Sequence, residues 1–175
     1  LPQAGGDITV NTLTLPLAAG ATISIQTQSN DALAVVSGSA QLSSFGNVGG
    51  FALFRWTTYG QEASVPFQTQ SSSGGVGRRL VFDNTGGFTT GVGISNPTNG
   101  PQDVTINIRD EDGNLLQTTS LSLPANGHTA FMLPFTYPAT AGIRGSVEFV
   151  NTYFQPAVIG LRVGPNFTLT TIPAL

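Results

Sequence analysis

Residues 103–123, DVTINIRDEDGNLLQTTSLSL, decide the fold class. Apolar side chains fall on every second residue on both sides of a polar centre, the period that puts one face of a strand against a core. The centre is Asp112-Gly113, a dipeptide that supplies the left-handed backbone a tight hairpin turn requires. Helical spacing is absent. The reading is a β-hairpin, and the same pattern extends in both directions. Downstream it recurs in HTAFML (128–133), GSVEF (145–149), AVIGLRV (157–163) and TLTTI (168–172). Upstream it recurs in RLVF (79–82), TTGVGI (89–94), ASVPF (63–67), GFALFRW (50–56), ATISIQ (21–26) and DITVNTLTL (7–15). Short alternating runs parted by Gly, Pro and Asn predict an all-β chain built as a β-sandwich.

Composition narrows the function classes. Charged residues are 9% of the 175, against roughly 25% in an ordinary soluble domain. Hydrophobic content is 39%, so the chain is no disordered polyampholyte. The polar surface is left to Thr, Ser, Asn, Gln and Gly, a habit of secreted all-β proteins. All six basic residues are Arg and the net charge is −3, which supplies no footprint for nucleic acid or anionic lipid. Without Cys there is neither a disulfide nor a thiolate metal site. No run reaches the roughly 18 apolar residues of a spanning helix. The start LPQAGG suits a processed N-terminus, so the expected location is secreted, extracellular or cell-surface.

The chain repeats itself. A shift of 107 lays GSAQLSSFGNVGGFALFR (38–55) on GSVEFVNTYFQPAVIGLR (145–162), aligning Gly38 with Gly145, Arg55 with Arg162 and Pro66 with Pro173 without a gap. A shift of 108 lays residues 7–16 on 115–124, matching Leu13 and Leu15 to Leu121 and Leu123. Fixed-period similarity of this kind marks repeated structural units. The expected organisation is an incomplete sandwich over 1–67, a Ser/Gly-rich linker over 68–77 and a complete immunoglobulin-like sandwich of about seven strands over 78–175. The strands TTGVGI and DVTINIR have no counterpart before Asp7, so the first unit is short by about two.

A sandwich short of strands leaves backbone N–H and C=O groups unpaired along an edge. Three outcomes are open. The halves close on each other, a neighbouring molecule supplies the strands, or the chain is a piece of a longer one. The absence of Lys, a common guard of strand edges, favours association. The expectation is a homopolymer joined by strand complementation, with Ile8, Val10, Leu13 and Leu15 on the exchanged strand.

The phrases FALFR…QEASVPF, DNTGGFTTGVGISNP, VTINIRDEDGN, LSLPANGHTAFML, RGSVEF and AVIGLR…FTLTTIP resemble, in this order, a repeat module near the C-terminal ends of secreted proteins of environmental bacteria, acidobacteria among them. The resemblance covers nearly the whole chain. It implies export and a β-sandwich module and brings no catalytic residues with it. In longer members the first unit carries an NPT-type strand pair that this chain lacks.

Candidate sites are few. Asp110 and Asp112 in RDEDGN are weak candidates for a surface cation site, but the loop has no closing bidentate Glu, and a hairpin turn is the simpler reading. His128 is the only histidine and no GxSxG elbow occurs, so neither a nucleophilic triad nor an imidazole-rich zinc site is expected. Glu62, Asp83 and Glu148 lie near strand ends without forming a recognisable pair for glycoside hydrolysis. Arg55 and Arg162 hold equivalent places and suit pairing with a carboxylate, Asp83 being one of the right type. Trp56 and Tyr59 in RWTTYG, with Tyr153 and Phe154 in NTYFQP, offer two matched aromatic loops. They suit a glycan or a partner surface, or else close the ends of the core. Asn166-Phe167-Thr168 fits a glycosylation sequon. No enzyme and no cofactor are expected. The alternative to the structural subunit is a monomeric carbohydrate- or surface-binding module.

Overall fold

The computed structural model describes residues 12–26, 38–70 and 77–175. Its centre is the hairpin read from residues 103–123. Strands β5 (Gln102–Asp110) and β6 (Leu115–Leu123) pair antiparallel, with a register shift between Ile108 and Arg109. Gly113 takes φ 87° in the turn, and the Asp110 carboxylate accepts the N–H groups of Asp112 and Asn114. Val104, Ile106 and Ile108 are completely buried while Thr105 and Asn107 face outward, as period-two spacing requires.

Six more strands complete the sandwich: β3 (Arg78–Asp83), β4 (Thr89–Ser95), β7 (His128–Met132), β8 (Arg144–Val150), β9 (Ala157–Val163) and β10 (Leu169–Pro173). They form two four-stranded antiparallel sheets, in the orders β3-β8-β5-β6 and β10-β9-β4-β7. Leu80, Phe82, Val104, Ile106, Ile108, Val147 and Phe149 of the first sheet meet Val92, Ile94 and Val158 of the second in one core. Leu133 at the start of the short helix α1 (Leu133–Thr136), Tyr137 and Phe154 also belong to it. All eight runs predicted between residues 79 and 172 are strands. The first two, β3 and β4, lie in opposite sheets, whereas the immunoglobulin order places its first two side by side.

Connections between sheets are held by three buried asparagines that sequence reading passed over. Asn84 donates to Thr140 O and accepts the Thr90 N–H. Asn151 donates to Asp103 O and accepts from the N–H groups of Tyr153 and Phe154. Asn96 holds the loop from β4 to β5 in the same way. Each turns a buried side chain into a substitute for the backbone partners that an irregular loop lacks.

The N-terminal half differs from expectation. Its only strands among the described residues are β1 (Phe51–Trp56) and β2 (Gln61–Pro66), joined through a 3-10 turn at Thr57–Tyr59 and Gly60 at φ 61°. Residues 12–15 and 21–26, expected in strands, are in none, and neither are residues 38–50. Ala63 is the one buried hydrophobic side chain among the described residues before position 68, so those residues hold no second sandwich core. Alternation alone makes no strand, because a strand's backbone groups are satisfied only by a neighbouring strand. Strand β2 lies beside β10, where Thr171 Oγ1 donates to Ser64 O at 2.6 Å. The expected linker is anchored at its described ends: Gln68 bonds both backbone groups of Val158, and Arg78 Nη2 donates to Thr69 O. Residues 71–76 lie outside the described part.

Candidate interaction surface at the first hairpin

Strand β1 has the sequence of a core strand and the environment of a surface one. All six residues of FALFRW are exposed, on both faces. Among the described residues its only strand partner is β2, so no described strand covers its other edge. A long, apolar, open edge is what native sheets ordinarily blunt with charge or a covering loop. The single charged side chain here, Arg55, is spent on its cross-strand neighbour, with Nε 2.6 Å from Glu62 Oε1.

Aromatic rings gather at the turn end of this hairpin. The Trp56 and Tyr59 rings meet edge-on at 4.5 Å, and Tyr59 stacks on Phe167 at 4.7 Å. Phe167 comes from the β9–β10 loop, where it holds φ 58°. All three are partly exposed. The expected pairing of Trp56 and Tyr59 with Tyr153 and Phe154 as matched exposed loops does not hold. Tyr153 is exposed, but Phe154 is buried in the core because Asn151 folds the chain back there. Phe167 entered the sequence reading only as the middle of a sequon, since nothing local marks which loop a ring will reach.

The two equivalent arginines both pair with carboxylates, and the partners differ. Arg162 Nη2 lies 2.7 Å from Asp83 Oδ2, and its guanidinium sits 3.5 Å over the Phe88 ring. Arg144 Nε approaches the same Oδ2 at 3.4 Å. Asp83 also accepts from Thr85 Oγ1 at 2.7 Å and Thr85 N at 3.0 Å. These Thr85 bonds, followed by Arg144, hold its carboxyl far below the usual carboxylate range. A depressed folded-state pKa stabilises the fold above the unfolded value of about 4 and loses that contribution as pH falls below it. Asp83→Asn is therefore expected to cost about 2 kcal/mol at pH 7. Urea unfolding of both proteins should show that difference shrinking towards pH 2.5; an unchanged gap would mean that the charge is not its source.

Other predicted residues fall in structural places. Asp110 accepts from Asn114 Nδ2 as well as from two backbone N–H groups, and the Asn114 side chain leads in lowering its pKa. Its carboxylate thus closes the hairpin turn, next to Asp112. No three of His, Cys, Asp and Glu come together among the described residues. His128 opens β7 opposite Ser95. Glu148 faces Arg79 and Arg109, so Glu62, Asp83 and Glu148 each meet an arginine. Leu13 and Leu15 are exposed, and Ile8 and Val10 lie outside the described residues. No described helix is long and apolar enough to cross a membrane. No protein-family model, curated protein or solved structure matches this chain.

Proposed function

We propose that this protein is an exported structural subunit that associates through β-strand complementation at its N-terminal half, building an extracellular filament or layer. The observation that carries this reading is β1, apolar, exposed on both faces and paired among the described residues with β2 alone. Strand β2 lies beside β10, whose sheet ends in β7, and among the described residues neither β1 nor β7 has a second strand partner. Pairing β1 of one copy with β7 of the next is a head-to-tail contact, which propagates instead of closing. The low charge and Ser/Thr/Asn-rich composition support export.

The test is sedimentation and electron microscopy of the purified chain, of a form lacking residues 1–12, and of Leu53→Glu. Concentration-dependent filaments or sheets are expected from the full chain. A Glu on the exposed edge should weaken association at least about tenfold, since it buries an unpaired charge at the contact. Discrete monomers from all three would overturn the reading. A second reading, a glycan-binding module, is favoured by the partly exposed Trp56–Tyr59–Phe167 cluster. It predicts quenching of the only Trp by soluble oligosaccharides, lost in Tyr59→Ala.

A further inference from the structure

Arg78 is the one arginine without a carboxylate partner among the described residues. Arg55 faces Glu62, Arg79 and Arg109 share Glu148, and Arg144 and Arg162 share Asp83. Arg78 opens β3 on the same face as Leu80 and Phe82, core residues two and four positions on. Strand alternation therefore aims its side chain between the sheets instead of into water. One of its five N–H donors reaches Thr69 O at 3.1 Å. Its Nε is fully buried and meets no acceptor. Burial lowers its pKa, and no neighbouring carboxylate acts to raise it. A guanidinium so placed costs the fold free energy unless an anion meets it.

A pocket lies around this charge, and the strand path explains it. Strand β10 keeps to β9 as far as Pro173, opposite Ile159, and then Leu175 exchanges both backbone bonds with Arg79 of β3. The chain here leaves one sheet for the other, which parts it from β9. At Val158, next along β9, the Gln68 side chain takes both backbone groups in place of a strand. The pocket at this parting has a volume of about 500 Å³, within the roughly 300–1,000 Å³ of small-molecule sites. Arg78 is the only charged residue among the described residues that line it. Val65, Phe67, Ile159 and Ile172 supply apolar wall, and Gln155 has an amide able to donate a further hydrogen bond.

We infer that this pocket binds an organic monocarboxylate with an apolar body, its carboxylate on Arg78 and its hydrocarbon chain along those walls. One cation matches one negative charge, whereas a phosphate dianion calls for more than one. A guanidinium takes a carboxylate through two parallel N–H···O bonds, and Nε has its donor to give. The apolar walls favour a ligand with a chain over a small inorganic anion, which gains nothing from them. None of the lining residues belongs to β1 or to the Trp56–Tyr59–Phe167 cluster. The inference thus goes beyond the assembly reading and does not rest on it.

The probe is octanoate, titrated into the full chain by calorimetry and by amide NMR. One-to-one binding is expected, with shift changes centred on Val65, Arg78, Ile159 and Ile172. Octan-1-ol has the same chain without the charge, and acetate has the charge with almost no chain. Each should bind at least about tenfold more weakly. Arg78→Gln should weaken octanoate binding at least about tenfold. Should that variant not fold, Val65→Glu, on β2 outside the core, sets a competing carboxylate at the pocket and should have the same effect. No binding of octanoate at low millimolar concentration overturns the inference. Equal binding of octan-1-ol or acetate, or full binding in a folded Arg78→Gln, does the same. Shift changes confined to the Trp56–Tyr59–Phe167 cluster would also sink it.

Discussion

Gly145→Ala is expected to destabilise the sandwich by about 3–4 kcal/mol, because a Cβ there would meet the tightest contact of any described glycine. Gly145 sits in β8 between Asp110 of β5 and Phe82 of β3. A Cβ there would lie 2.0 Å from Arg109 O and 2.9 Å from the tip of the Phe82 ring. The ring can turn, but the carbonyl cannot withdraw without parting β5 from β8. That separation would disturb the pairing beside Val147 and Phe149, both completely buried. Thermal unfolding should register a fall of about 10 °C for a chain of this size. A fall of only 1–2 °C would mean that the strands accommodate the methyl group by a small slide, and that their spacing is softer than the packing indicates.

Asn96→Leu should cost about 3 kcal/mol, although leucine is similar in size and more apolar. Asn96 is 1% exposed and works in four directions. Its Nδ2 donates to Gly100 O at 2.8 Å and to Pro124 O at 2.9 Å. Its Oδ1 accepts from Thr98 N at 2.9 Å and Thr98 Oγ1 at 2.7 Å. The backbone joins in, since Asn96 N donates to Gly127 O and Asn126 N to Thr98 O. The side chain thus ties the β4–β5 crossing to the turn that starts β7. Leucine would leave the Thr98 N–H without its acceptor and take one donor each from Gly100 O and Pro124 O, a penalty that its own hydrophobic burial does not offset. Urea unfolding with an unchanged m-value and a lower midpoint is the expected signature. A neutral result would mean that water takes over the four bonds, and that the loop is less enclosed than its burial implies.

The asparagines show why some of the site escaped sequence reading. Asn84, Asn96 and Asn151 look like ordinary loop residues, and their importance comes from carbonyls up to 56 residues away. The places of Phe154 and Phe167 were open in the sequence for the same reason. Each lies in a turn, and only the folded chain shows that one ring enters the core while the other crosses to Tyr59. The pairing of Arg162 with Asp83 was legible as a type of contact because a desolvated guanidinium calls for a carboxylate. That Arg55 instead takes Glu62 follows from the hairpin register, which sets the two directly opposite.

By itself the sequence determined the all-β class, the alternating runs of residues 78–175 and the turn at Gly113. These depend on side-chain alternation and on local backbone conformations that only certain residues adopt. Tertiary structure alone decided which alternating segments become strands. ATISIQ alternates as cleanly as HTAFML, yet only the second is a strand, because β4 lies beside it to take its hydrogen bonds. A helix closes its backbone bonds within its own segment, but a strand must borrow them from another part of the chain.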